Sequence, residues 1–315
     1  MTVSIAAAAA FALVWKSLAP LCENFRPATK AGIAFSLRVL PIAISLIVIF
    51  AFILPAFVIY EPHDSGETIG LKLALVIGIA VFGLSAALFR IFGSWWRTRR
   101  LIGDWLQNAR PMKLPAIQIP TYRLRHQFPV FAIVGIIRPQ LFVAEQVLET
   151  LDESELAAVI RHELGHISAL DNLKRLAMKL CADILVVPIG RSLDIYWSDA
   201  TESAADEYAV GRGGRETALN LAGALIKIAR IIPNEPAPPM PAVSYVFEGT
   251  GESLAARIRR LIQLAEDENF RAGSSIRTLF PMLVLSTLIV VILATDHAFL
   301  ALIHNFSEVV LSVLQ

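Results

Sequence analysis

Cysteine is almost missing from this sequence. The only two, Cys22 and Cys181, lie far apart with no C-x-x-C, which excludes a disulfide framework and a thiolate zinc cluster and leaves both as core filler. Charge is also scarce: 17% of residues are charged against 56% hydrophobic, and the mean hydropathy of +0.61 is too high for an ordinary soluble protein. A membrane is implied. Neither sign of charge is in excess, the net being +1, and no helix-turn-helix, zinc-finger or RNA-binding pattern is present, so nucleic acid is excluded as a partner. Residues 4–15, "SIAAAAAFALVW", lack a basic n-region, which argues against a cleaved signal peptide, and are short for a membrane crossing; an interfacial or re-entrant helix is expected there.

Long uncharged runs are what the chain does have. Leu40–Tyr60 carries no charge over about the 20 residues a helix needs to cross a bilayer. Ile69–Phe89 is nearly as apolar, with Lys72 near enough to its end to snorkel, and Leu279–Thr295 is at the short limit for crossing. Three transmembrane helices are therefore expected. Arg26, Lys30 and Arg38 precede the first, and Arg90, Arg97, Arg99, Arg100 and Arg110 follow the second beside Trp95 and Trp96, so both flanks read as cytoplasmic. The intervening "EPHDSGET" has acids and no Lys or Arg, which suits the outside. Arg271 and Arg277 keep residues from about 90 to 277 in the cytoplasm, and the apolar stripe Phe299, Leu302, Phe306, Val309 and Val313 is expected to lie along the outer interface.

Within the cytoplasmic segment, Val130–Val134 and Leu141–Val143 read as strands of a small hairpin or edge sheet turned by "IIRPQ". That hairpin is either core packing or an edge for an extended peptide. A helix follows, with Thr150 and Asp152 as candidate caps, Glu153 and Glu155 in the first turn, and an apolar face from Leu156, Val159 and Ile160 continuing to Leu170 and Leu173. Further helices are expected over Ser198–Val210, with "GRGG" as the break, over about Arg215 to Arg230, and around "ESLAARIRRLIQLAEDE", after a proline-rich loop at 233–241.

The first of these helices contains "RHELGHISALDN", an H-E-x-x-H. Positions i and i+4 share a helix face, so His162 and His166 present two imidazoles to one point, and Glu163 beside them can take the proton of a water at a metal's open position. Imidazole and carboxylate ligands with one open position are the pattern of catalytic zinc, one ion per chain. The bland alternative is a solvated face or a pair of core histidines. A third ligand must come from elsewhere, and "SDATESAADEYA" offers Glu202 with Asp206 one turn on, the latter placed to orient a ligating ring; alone, these acids would read as a solvated helix face. Small Ala204 and Ala205 would let the two helices pack closely. Substrate would lie along the strand region from Phe131 through Ala132, Ile133 and Val134 to Ile137, and Tyr208, Tyr196 and Arg257 are candidate oxyanion donors, Arg257 equally a salt-bridge residue.

"LDESELAAVIRHELGHISALDNL" followed by "ESAADEYAV" resembles gluzincin membrane metallopeptidases with H-E-x-x-H and a downstream E-x-x-x-D, in two groups: the BlaR/MecR-type antirepressor peptidases and the HtpX/CaaX-prenyl-protease type. The G-x-x-R-P run at Gly135–Pro139 and the D-N-L after the second His resemble the first group, over roughly residues 129 to 230. Ala205 stands where that group often has Cys, and no large extracellular sensor domain follows the last span. The resemblance implies His162, His166 and Glu202 as zinc ligands, Glu163 as general base and Asp206 behind the ligands. Together these readings give a mainly α membrane protein with a cytoplasmic zincin-like protease domain carrying a small sheet. Its parts are 1–35 interfacial or re-entrant, 36–92 a transmembrane hairpin, 93–277 the metalloprotease domain, and 278–315 a transmembrane helix and amphipathic tail. The expected function is a zinc endopeptidase of the cell (inner) membrane, acting on a cytoplasmic regulator or membrane protein through Glu-activated, zinc-bound water. An HtpX-type quality-control protease and an inactive signalling scaffold are the alternatives. A transporter is disfavoured because the expected spans hold no charge beyond Lys72.

Overall fold

Two long helices open the structure. The computed structural model describes residues 15, 20, 22–60, 71–114, 117–136, 138–185, 190–233, 254–267, 293 and 295–314. Helix α1, Pro27–Tyr60, starts with proline at its first position, where the missing N–H costs nothing, and loosens into a π-helical turn at Val48–Ile53 just before Pro55. Helix α2 covers Leu71–Asn108. Both are long and apolar enough to cross a membrane, and both run well beyond the apolar stretches that reveal them, because their polar ends are continuous helix. Nearly all of the third expected span, and nearly all of residues 4–15, lie outside the described residues.

A four-stranded sheet follows: β1 Ala109–Met112, β2 Thr121–Leu124, β3 Phe131–Val134 and β4 Gln140–Ala144, in the order β1-β2-β4-β3. The expected hairpin is β3 with β4, antiparallel with Phe131 opposite Val143. Its turn requires Gly135, whose φ is +107° and where a Cβ would stand 2.7 Å from the Arg138 carbonyl oxygen. Strands β1 and β2, the latter parallel to β4, enlarge the hairpin into a sheet. Strands β3 and β4 are buried on both faces, with Phe131, Leu141 and Val143 on one and Phe142 on the other.

Among the described residues, five helices follow the short α3, Glu145–Thr150: α4 Glu153–Ala169, α5 Asp171–Leu185, α6 Arg191–Ile231, α7 Leu254–Glu266 and α8 His297–Leu314. Two expected helices, Ser198–Val210 and Arg215–Arg230, are the halves of α6, which begins earlier and breaks only at Gly214, in a non-helical conformation (φ 69°, ψ −163°). Leu221, Leu225 and Ile228 of its second half meet the sheet and Leu261 of α7 in the main core. A second cluster, including Trp15, Cys22, Ala34, Met178 and Trp197, ties α1 to α5 and α6, and both cysteines are free and buried, as core filler. Helix α8 buries Leu300 against Phe52 and Ala56 of α1 and leaves Leu302, Phe306 and Val309 exposed.

Candidate metal centre

Helix α4 is fixed at both ends by local chemistry. Asp152 accepts hydrogen bonds from the Ser154 and Glu155 backbone N–H groups at 2.9 Å each, and Glu155 accepts one from the Asp152 N–H at 3.1 Å, a closed capping box. Thr150 does not cap α4; it closes α3, its hydroxyl donating to the Gln146 carbonyl. At the other end Leu170 takes the left-handed conformation (φ 57°, ψ 36°) and α5 starts at once with Asp171. This reversal corrects the expected apolar face: Val159 is buried, but Leu170 and Leu173 fall beyond the helix and are exposed.

Helix α6 runs against α4 at close range, since a Cβ on Gly165 would stand 3.0 Å from the Ala205 Cα. The small residue at 205 therefore has the expected packing role. That approach brings Glu202 to the two histidines: the Nε2 atoms of His162 and His166 are 3.3 Å apart, and each lies 3.5 Å from one Glu202 carboxylate oxygen. Donors at about 2.0–2.1 Å from a tetrahedral zinc stand about 3.3–3.4 Å apart, so the three side chains are spaced to hold such an ion. The other ring nitrogens are occupied. His162 Nδ1 lies 2.8 Å from Asp206 Oδ1 and His166 Nδ1 lies 2.8 Å from Asp171 Oδ2; protons on Nδ1 satisfy both contacts and leave both Nε2 lone pairs facing Glu202. Glu163 is 1% exposed, and its Oε2 has no hydrogen-bond partner among the described residues. A buried carboxylate oxygen without a partner is costly in a finished core and ordinary beside a reactive centre.

The charges of this cluster are balanced from below by Arg257. Its guanidinium, 4% exposed, lies 3.0 Å from Glu202 Oε2 and donates to Asp206 at 2.9 Å and 3.3 Å. Burial raises the carboxyl pKa of Glu202, but Arg257 and the His162 hydrogen bond outweigh it and hold the group down at about 2. Asp206 is likewise held well below the usual carboxylate range, against burial, by the same two neighbours. Burial also disfavours charge on His162, yet the hydrogen bonds its ring donates to Asp206 and Glu202 raise it to about 10, so a cation bound at this ring must displace a proton. Burial pushes the Glu163 carboxyl up, and the His166 and His162 charges pull it only partly back, which makes it a stronger base than an exposed glutamate.

His162, Glu163, His166, Glu202 and Asp206 are thus brought together as a group, and Arg257 joins them from α7 as the salt-bridge partner of two acids rather than as an open donor. Asp171 is the residue that sequence reasoning missed. Its signal was the Asp of the D-N-L run, five residues after His166, but only the left-handed turn at Leu170 aims it back. The Phe131, Ala132, Ile133 and Val134 side chains point into the core, so a substrate can meet β3 only through its outward backbone. Asn172 already donates to two of those outward carbonyls, Ile133 at 3.2 Å and Gly135 at 3.3 Å. Tyr208 carries Arg212 over its ring, while Tyr196 packs on Trp15 at the α1 side.

Residues 98–265, just over half of the chain, match the model of peptidase family M48. The chain belongs to that family. M48 peptidases are zinc-dependent hydrolases of peptide bonds of the gluzincin type, so the zinc the donor spacing fits and the protein or peptide substrate are properties of the family. The M48 match begins inside α2 and ends in α7, enclosing the sheet and every residue of the cluster. No protein of curated function matches the chain.

Proposed function

We propose that this M48 peptidase is a multi-pass endopeptidase of the inner membrane, with its catalytic cluster facing the cytoplasm and Glu163 as general base. The observation that carries the reading is the triangle of His162 Nε2, His166 Nε2 and the Glu202 carboxylate, with both imidazoles backed by acids. These three residues hold the zinc, and Asp206 and Asp171 fix the ring orientations. Bound there, the ion supplies Lewis acidity, polarising the scissile carbonyl and lowering the pKa of water. Glu163 takes a proton from the attacking water and returns it to the leaving nitrogen, a role suited to a buried carboxyl with a free oxygen. Arg257 holds Glu202 and Asp206 in place through two ion pairs.

The membrane placement rests on the two long apolar helices, the basic residues flanking them and Trp95 and Trp96, which are exposed with Arg99 and Arg100 over their rings. The division into a transmembrane hairpin at 36–92 and a protease domain at 93–277 follows from the same features. Substrate adds beside β3 at the outward backbone of Phe131, next to the stretch that Asn172 covers. The substrate class is a cytoplasmic regulator, as for antirepressor peptidases, or a membrane-protein segment, as for the HtpX type.

Glu163→Gln tests this reading. Cells holding it should accumulate uncut proteins absent with wild type, and purified variant should cleave them about 10³-fold more slowly with zinc retained. Unimpaired cleavage would refute the mechanism. Reporters fused after Glu61 and after Gln107 should read outside and cytoplasm respectively, and the reverse would refute the topology.

A further inference from the structure

Among the described residues β3 is an outer strand of the sheet, with one side of its backbone turned away from any other strand. The ladder fixes which groups lie on that side. The Ala144 N–H donates to the Val130 carbonyl at 2.7 Å and Phe131 stands opposite Val143, so Val130, Ala132 and Val134 pair with β4 while Phe131, Ile133 and Gly135 turn their backbone groups to the open edge. Asn172 lies on that edge. Its side-chain amide nitrogen donates to the Ile133 carbonyl at 3.2 Å and to the Gly135 carbonyl at 3.3 Å, which engages both of its N–H groups. Two carbonyl acceptors require the nitrogen, and not the oxygen, of the amide to face β3.

The backbone holds Asn172 in this place. Leu170 turns left-handed, α5 starts with Asp171, and Asp171 Oδ2 lies 2.8 Å from His166 Nδ1, so consecutive side chains engage the metal centre and the sheet edge. A brace between α5 and the β3–β4 turn would need only the Gly135 carbonyl. Bonding Ile133 as well puts the amide on the strand itself. A peptide added to β3 bonds to every second residue, with one pair of hydrogen bonds at Phe131 and the next at Ile133. Asn172 already holds the Ile133 carbonyl and fills the space beside it. We propose that Asn172 is a specificity-determining stop: it ends strand pairing after Phe131, so the peptidase selects short extended stretches, such as protein loops, over long strand-like segments. The inference rests on the placement of substrate beside β3 proposed above.

The test uses the zinc-loaded full chain in detergent with a library of unstructured synthetic peptides. The peptide that wild type cuts fastest becomes the parent of a series lengthened two residues at a time on each side of the cut. On one side, wild type should gain no more than about twofold in kcat/KM once the parent is lengthened past its first paired residue. Asn172→Ala should gain about tenfold from the next two residues on that side, carried by KM rather than kcat, because the Ile133 pair of hydrogen bonds becomes available. Asn172→Ser, too short to bridge both carbonyls, should show the same gain and guards against a folding defect peculiar to alanine. Variants whose dependence on peptide length matches that of wild type would overturn the stop. Loss of zinc from both variants, under dialysis that wild type withstands, would make Asn172 a support of the metal centre and overturn it too. No gain from any extension, in wild type or variants, would instead overturn substrate pairing along β3, and the stop with it.

Discussion

The α4/α6 pair and the α1/α2 pair break the usual rule of burial in opposite directions. Between α4 and α6, His162, Glu163 and Asp206 are at most 1% exposed, although such groups are rarely buried without partners. Along α1 and α2, Val58, Phe82 and Phe89 are 67%, 74% and 78% exposed, although large apolar side chains are normally inside. Each inversion asks for something the polypeptide does not contain. Buried imidazoles and carboxylates fit a divalent cation, and lipid would cover the long exposed apolar surface in the membrane placement proposed above. The difference teaches that one chain can carry two surfaces that water alone does not suit, with Arg38–Asp194 and the Trp197 cluster holding the two regions together.

Breaking the polar region should have the larger effect. Arg257→Ala leaves Glu202 and Asp206 buried without their cation, and unfolding experiments should show about 3–5 kcal/mol of lost stability. A loss under about 1 kcal/mol would mean that the acids are balanced without it. The apolar region is probed by Ile79→Asp, at a site that is 64% exposed. In a bilayer this change costs about 2.5–3.5 kcal/mol of insertion free energy, read as a drop in the inserted fraction, whereas a water-facing helix would tolerate it. The smallest effect is expected at Asp152, whose carboxyl is held at about 2, chiefly by the Ser154 hydroxyl and the Glu155 N–H. A carboxyl lowered on folding stabilises above its ordinary pKa of about 4 and loses that contribution as pH falls through 2. Asp152→Ala should therefore melt lower than wild type at neutral pH, and the gap should close between pH 4 and pH 2; a gap independent of pH would show that the cap acts without its charge.

The same contrast explains what could be read in advance. Local, periodic signals were legible: the H-E-x-x-H face, the Asp152 cap, the i and i+4 pairing of Glu202 with Asp206, and the apolar runs within α1 and α2. What depended on a single backbone reversal or a distant partner was not. Asp171 reaches His166 only because Leu170 turns left-handed, a conformation that a leucine gives no cause to expect. Arg257 finds Asp206 across 51 positions of chain, so its ion pairs exist only after α7 docks. Strands β1 and β2 are four residues each, too short for an alternating pattern to stand out, and "GRGG" breaks α6 only at its last glycine, Gly211, Arg212 and Gly213 remaining helical.

Zinc counted per chain in the purified full-length protein, wild type against Glu202→Gln, is the most direct measurement. One zinc per wild-type chain, lost from the variant under the same dialysis while the fold persists, is the predicted result. Wild type that binds no zinc, or a variant that keeps it as tightly, would contradict the assignment of His162, His166 and Glu202 as the metal centre.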